Sequence, residues 1–320
     1  MSRGEENTQA PAVSVIVPAL DAAETIGRTL RALASQDLTE PYEVIVVDDG
    51  SSDDTIEIAE GSSGPVRVLR SAGRGPGPAR NTGAAASRAP ALAFTDADCA
   101  PEPGWLRAGL AALDGADLVQ GRVVPDPDAH LGPFDHTVWV LEESGLYETA
   151  NLFVSRALFE RLRGFEDFVG ARIGKPLAED VWFGWRARRA GARTSFSSEA
   201  AVHHAVIARG PSGYVTERLR LAYFPAIARR VPELRGTLFF GRWFITRRSA
   251  AFDLAVTGLA AAAMKRSPLP LVAALPYAVC VARYGRRWRS ARVATVEVAA
   301  DAVGFGALAW GSARSLTLVV

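Results

Sequence analysis

Phe94-Thr95-Asp96-Ala97-Asp98-Cys99, residues 94–99, decides how this chain is read. Leu92-Ala93-Phe94 has the composition of a short buried strand, and it runs into two carboxylates with one residue between them. On extended backbone, residues i and i+2 point to the same side, so Asp96 and Asp98 can face one ligand together. Two hard oxygen donors at a strand end suit Mg²⁺ or Mn²⁺ bridging to a diphosphate. The same spacing also occurs at plain solvated strand-to-loop corners. The segments on either side therefore decide its meaning.

Upstream, Val13-Ser14-Val15-Ile16-Val17-Pro18 is a β-branched run closed by proline, which predicts a buried strand. Ile26, Leu30 and Leu33 recur at helical spacing, so residues 24–35 are read as a helix. Tyr42-Glu43-Val44-Ile45-Val46-Val47 predicts a second strand, ended by Asp48-Asp49-Gly50, with a capped helix after Asp53 or Asp54. Val66-Arg67-Val68-Leu69 predicts a third. Strand–helix–strand order with near-continuous apolar strands argues an α/β fold on a parallel sheet. Such sheets bind ligands outside the carboxyl ends of their strands, where Pro18, Asp48, Asp49, Asp96 and Asp98 all fall.

A glycine- and proline-rich loop, residues 72–78, precedes a short predicted helix over 79–87 whose first turn carries Arg80, suited to a phosphate or a base edge. No G-x-x-x-x-G-K-[ST] run is present, which excludes a Walker-type phosphate loop. Downstream, strands are predicted over 117–123, 151–155, 194–196 and 201–202, the last leading into His203-His204. Residues 170–176 are read as a mobile glycine-bearing loop before Glu179-Asp180 opens a helix that ends at Gly191. Acids in a first turn suit the helix dipole on structural grounds alone. A histidine beside the D-x-D pair would also serve as a third metal ligand. Trp139, Trp182 and Trp185 can stack on a ligand ring or simply fill the core.

Charge divides the chain. Residues 1–204 hold 19 basic and 30 acidic side chains, a net −11, while residues 205–320 hold 17 basic and 5 acidic, a net +12. The tail is built to meet anions. An amphipathic helix is predicted over 214–230, followed by three apolar stretches at 250–264, 268–282 and 294–310. Each is shorter than the about 20 apolar residues of a spanning helix, and Arg283, Arg286, Arg287, Arg289 and Arg292 fill one gap between them. Interfacial helices on anionic lipid are the expectation; a subdomain for oligomer contacts and true spanning helices, the latter disfavoured by ionisable groups at bilayer depth, are the alternatives. The arginines adjoin apolar helices and no nucleic-acid motif is present, so a nucleic-acid partner is not expected. Two cysteines, Cys99 and Cys280, fit a reducing compartment, and residues 1–12 are polar, read as disordered and without a secretory core.

Taken together, residues 13–204 resemble the family 2 glycosyltransferases of GT-A fold. The resemblance rests on 13–18, Val46-Val47-Asp48-Asp49-Gly50-Ser51, Ala79-Arg80-Asn81-Thr82-Gly83, the D-A-D stretch, Asn151, Gly164-Phe165-Glu166, and Glu179-Asp180 with Arg186 and Gly191, in that order. It implies a Rossmann-like, mostly parallel sheet flanked by helices, with residues 205–320 as a helical, membrane-associating region. It implies that Pro18 and Asp48 or Asp49 meet the base, that Arg80 meets the base or phosphate, and that Asp96 meets the ribose or metal. Asp98 would hold the divalent ion, Mn²⁺ or Mg²⁺, with His203 or His204 completing its shell. Asp180 would be the general base, with Glu179 beside it.

The implied reaction is metal-dependent transfer of a single sugar, with inversion, from a nucleotide-sugar, a UDP-sugar first, to a lipid-linked or envelope glycan. The place implied is the cytoplasmic membrane face, peripheral or monotopic. The Q-x-x-R-W run of processive synthases is missing: Tyr284 and Phe239 stand three before Arg287 and Arg242. Two other readings stand beside it: a sugar-1-phosphate nucleotidyltransferase, weakened by the lack of any lysine near the first strand, and a non-catalytic membrane scaffold on the same fold.

Overall fold

The computed structural model describes residues 10–166 and 177–320. The first nine residues of the stretch read as disordered, and the glycine-bearing loop at 170–176, lie outside the described residues. The described chain forms two units, one of residues up to 130 and 137–206, the other of residues 131–136 and 207–320.

In the first unit the strands are β1 (Val13–Ala19), β2 (Tyr42–Asp48), β3 (Val66–Arg70), β4 (Ala91–Phe94), β5 (Cys99–Pro101), β6 (Leu118–Pro125), β7 (Leu152–Ser155) and β8 (Thr194–His204). Its helices are α1 (Ile26–Ala34), α2 (Thr55–Glu60), α3 (Pro76–Ala86), α4 (Trp105–Leu113), α5 (Arg156–Arg161) and α6 (Glu179–Arg189). The strands make one mixed sheet in the order β3-β2-β1-β4-β7-β6-β8-β5. β3, β2, β1 and β4 run parallel, as the apolar strands predict. Val13, Val15, Ile16 and Val17 are wholly buried, which requires cover on both sheet faces. The helix α1 supplies part of it through Ile26, Leu30 and Leu33.

Register places the site. Pro18 pairs with Val47 and Ala19 with Asp48, while Ile16 pairs with Phe94. The ends of β1, β2 and β4 therefore open on one edge. β7 turns antiparallel to β4 and β6. β8 is a single strand of 11 residues rather than two short ones. It accommodates its polar middle by a register shift against β6 at Gly121/Arg122. β5, three residues directly after the D-A-D pair, runs antiparallel to the end of β8 and pairs Cys99 with His204.

The second unit contains α7 (Pro211–Glu217), α8 (Phe224–Arg230), α9 (Leu234–Thr237), α10 (Arg247–Lys265), α11 (Leu275–Arg287) and α12 (Ala291–Ser315). The helix predicted over 214–230 is broken by a 3₁₀ segment, Arg218–Tyr223. The second apolar stretch likewise divides into a 3₁₀ turn, Leu269–Ala274, and α11. The third corrects the length expectation: α12 has 25 residues and is long and apolar enough to cross a membrane. Its acids Glu297 and Asp301 turn inward. Arg248 meets Glu297 at 2.5 Å and Asp301 at 2.6 Å. Tyr214 Oη donates to Glu297 at 3.0 Å, and Tyr277 Oη to Asp301 at 2.6 Å.

Candidate active site

The strand ends carry aspartates with distinct work. Asp48, buried, accepts the backbone N–H groups of Gly50 and Ser51, both at 3.2 Å. Asp49, also buried, accepts the Ser71 hydroxyl and the Gly75 N–H, the latter at 2.7 Å. Gly75 has φ +100°, a region that glycine enters without penalty. Asp49 thus pins the turn that launches α3. Pro18 lies beside them at the end of β1.

One turn into α3, Arg80 is 5% exposed and bridges two acids. Its Nη1 meets Glu179 Oε1 at 3.0 Å and its Nη2 meets Asp96 Oδ1 at 2.7 Å. Burial alone would weaken the Arg80 charge; the carboxylates of Asp96 and Glu179 outweigh it and raise its pKa. The arginine therefore ties the D-A-D corner to the head of α6. Gly77 permits this approach, since a Cβ there would stand 3.2 Å from Glu179 Cγ. Ala178, just before α6, holds φ +66°, a left-handed conformation that costs a non-glycine residue of order 1–3 kcal/mol. That cost presents Glu179 and Asp180 side by side at the helix start. Asp180 Oδ1 accepts only its neighbour Val181 N–H among the bonds described. Burial, and then Glu179, push its carboxyl well above the usual range.

Asp98 forms a second cluster. The side-chain ligand atoms of Asp98, Cys99 and His204 all lie within 4.8 Å of one another. His204 Nε2 stands 3.5 Å from Asp98 Oδ2, and its Nδ1 is 2.7 Å from the Ala205 carbonyl. A carbonyl only accepts, so Nδ1 carries a proton, and Nε2 is the ring nitrogen that faces Asp98. Fixing the tautomer in this way is how a protein prepares a histidine to ligate a metal. Burial, and then Asp96, raise the Asp98 pKa, a strain that a cation would relieve. The carboxylate and imidazole suit Mn²⁺ or Mg²⁺. Burial pushes the Cys99 thiol well up, so it stays protonated and is no ligand for a hard ion. His203 alternates to the other face and meets Glu102 at 3.2 Å. Of the histidine pair, the structure brings only His204 to Asp98.

Other quoted motif residues build the frame. Asn151 is wholly buried, accepts the Trp105 indole N–H at 2.8 Å, and donates to the Arg122 and Ala200 carbonyls at 2.9 and 2.7 Å. Asn81 clamps Phe165 by both its backbone groups, at 2.7 and 2.9 Å. Arg186 holds Glu166 at 2.8 Å. Trp185 is buried and donates to the Gly145 carbonyl, and so belongs to the core. Trp182 donates to Glu166. Trp139 is 55% exposed. No sequence motif marks Glu148. Its Oε2 is buried with no hydrogen-bond partner among the described residues, and it adds to the field on Asp180.

The mixed sheet with acids at its carboxyl edge, the D-x-D corner and the carboxyl-headed helix agree with the GT-A arrangement the sequence resembles. Comparison with known proteins agrees: residues 14–159 match glycosyl transferase family 2. The chain is 34% identical over 209 residues to the glycosyltransferase AglE of Haloferax volcanii, covering 61% of this chain and 67% of that one. It is 29% identical over 211 residues to the pre-mycofactocin glycosyltransferase of Mycobacterium tuberculosis, covering 60% of this chain and 42% of that protein. Its fold matches the mannosyltransferase PcManGT of Pyrobaculum calidifontis, solved with GDP-Man and Mn²⁺. The TM-score is 0.64 at 21% identity, over 97% of this chain and 88% of that one. The chain belongs to glycosyltransferase family 2.

Proposed function

We propose that this glycosyltransferase moves a single sugar from a nucleoside-diphosphate sugar to an acceptor hydroxyl, with inversion and with a divalent metal at Asp98 and His204. The observation that carries this reading is the convergence of Asp96, Asp98 and His204 with the Glu179-Asp180 head of α6 through Arg80. The complex of PcManGT with GDP-Man and Mn²⁺ supports the donor class and the metal. A UDP-sugar remains the first donor to try.

The bound metal would offset the charge that develops on the departing diphosphate. Asp180 takes the proton of the acceptor O–H as its oxygen bonds to the anomeric carbon. The bond from that carbon to the diphosphate oxygen breaks, and the electron pair leaves with the nucleotide. One displacement inverts the centre and needs no covalent nucleophile. Arg80 holds Asp96 and Glu179 in place, so neither competes with Asp180 for the acceptor proton. Nucleotide release from UDP-glucose, UDP-N-acetylglucosamine and GDP-mannose, each with Mn²⁺ and with or without phosphatidylglycerol vesicles, tests this. Release from one donor that stops on chelation is expected; no release from any donor under any condition contradicts it.

The acceptor reading is a lipid-linked or envelope glycan at the cytoplasmic membrane face. Its support lies in the second unit. Met264, Leu269, Val272 and Leu275 are 85, 78, 64 and 59% exposed beside Lys265 and Arg266. Apolar side chains flanked by cations suit anionic lipid. The double substitution Leu269→Glu/Val272→Glu is expected to weaken co-sedimentation with phosphatidylglycerol vesicles by roughly tenfold or more, from lost apolar burial. Unchanged co-sedimentation would remove the membrane part of the reading.

A further inference from the structure

Cys99 is a member of the Asp98 cluster that the transfer steps above leave unused. The sheet fixes its place. β5 runs antiparallel to the end of β8 and pairs Cys99 directly with His204, so the two side chains stand on one face of the ladder. Cys99 is 1% exposed and His204 4%. The Cys99 N–H donates to the Asp96 carbonyl at 3.1 Å, and the Ala205 N–H donates to the Asp98 carbonyl at 2.8 Å. The backbone of the D-A-D corner thereby holds a carboxylate, a thiol and an imidazole together.

The separations match those around a tetrahedral zinc ion. Zinc bonds run about 2.3 Å to sulfur, about 2.0–2.1 Å to imidazole nitrogen and about 2.0–2.2 Å to carboxylate oxygen, so a tetrahedral angle sets the ligand atoms about 3.4–3.6 Å apart. Cys99 Sγ stands 3.8 Å from Asp98 Oδ1, and His204 Nε2 stands 3.5 Å from Asp98 Oδ2. One ligand atom from each of the three residues falls within 4.8 Å of the other two. The Ala205 carbonyl holds His204 Nδ1, which keeps Nε2 turned to the cluster. Three protein ligands of mixed sulfur, nitrogen and oxygen type leave a fourth position for an exchangeable group, as in zinc centres that are not purely structural.

We propose that Asp98, Cys99 and His204 form a zinc site, in which Cys99 binds as the thiolate and makes the centre prefer Zn²⁺ to Mn²⁺. On binding, the S–H bond breaks, sulfur keeps the electron pair and bonds the ion, and the proton passes to solvent. A coordinating thiol is deprotonated outright because the ion supplies the compensating charge. A hard ion leaves the same thiol protonated, so only Asp98 and His204 hold it. For a given set of nitrogen, oxygen and sulfur ligands affinity is greater for Zn²⁺ than for Mn²⁺, and a soft thiolate widens that gap. Zinc here occupies Asp98 and His204, and so inhibits transfer. The inhibition rests on the metal-dependent transfer proposed above; the zinc site does not.

The test titrates the full chain with Co²⁺, which takes the place of zinc and reports a bound thiolate by a sulfur-to-cobalt charge-transfer band in the near ultraviolet. Wild type and Cys280→Ser should both show the band. The chain has two cysteines, so a band that survives in Cys280→Ser belongs to Cys99, with the buried corner left undisturbed. Cys99→Ser should lose the band and weaken Zn²⁺ binding by about a hundredfold or more, while Mn²⁺ binding changes by less than about tenfold. No band in wild type, or a band lost in Cys280→Ser, overturns the site. A second arm follows nucleotide release with Mn²⁺: added Zn²⁺ should stop it, excess Mn²⁺ should restore it, and Cys99→Ser should need about a hundredfold more zinc for the same effect. Release that zinc leaves untouched overturns the inhibition. The cobalt band needs no donor, so it still decides the zinc site if the sugar-transfer reading fails.

Discussion

Asp180→Asn is expected to slow transfer by about 10²–10⁴-fold, the usual contribution of a positioned general base, with nucleotide affinity retained. The substitution should not weaken the fold. Burial and the neighbouring Glu179 push the Asp180 carboxyl well above its ordinary range. Its contribution to stability is therefore present at low pH and lost as pH rises. A neutral asparagine escapes that loss, so the variant's thermal midpoint at pH 8 should equal or exceed that of wild type. Activity lost together with stability would mean that Asp180 serves the frame. Activity within tenfold of wild type would remove it as the base.

Arg80→Ala is the substitution expected to damage the fold most. It leaves Glu179, 9% exposed, and Asp96 without the guanidinium that joins them. Removing one partner of a buried ion pair costs about 3–5 kcal/mol, which for a unit of this size is a midpoint drop on the order of 10 °C. Arg80→Lys should recover only part of it, since one ammonium does not span two carboxylates as the guanidinium fork does. Thermal melts of the three proteins check this. A midpoint within 2 °C of wild type for Arg80→Ala, taken as about 1 kcal/mol or less, would show that the clamp is not what joins α3 and α6.

The parts of the fold that are legible in sequence are those with local signals. β1, β2 and β4 are runs of apolar residues that close at Pro18, Asp48 and the Thr95-Asp96 corner, and β1 and β2 pair across the helix between them. β5 has no such signal: Cys99–Pro101 is three residues long, and only its pairing with the far end of β8 makes it a strand. That pairing selects His204 over His203, which no local pattern distinguishes. The tail misled for a related reason. Amphipathic periodicity over 214–230 continues through a segment that packing tightens to 3₁₀. The motif residues were visible as motifs but not as roles: Asn81 bonds the Phe165 backbone, and Asn151 bonds the Trp105 indole and the Arg122 and Ala200 carbonyls, all far away in sequence. Arg80 meets carboxylates, which a reading of its helix turn alone does not foresee.

The most direct test of the central claim is a thermal-shift titration with UDP and GDP, each with and without Mn²⁺, on wild type and Asp98→Ala. A nucleotide at 100 times its dissociation constant stabilises by about 2.7 kcal/mol, a shift of several degrees. The account predicts a shift with one nucleotide that requires Mn²⁺ and is abolished in Asp98→Ala. A shift that survives both chelation and Asp98→Ala would contradict the metal site built from Asp98 and His204.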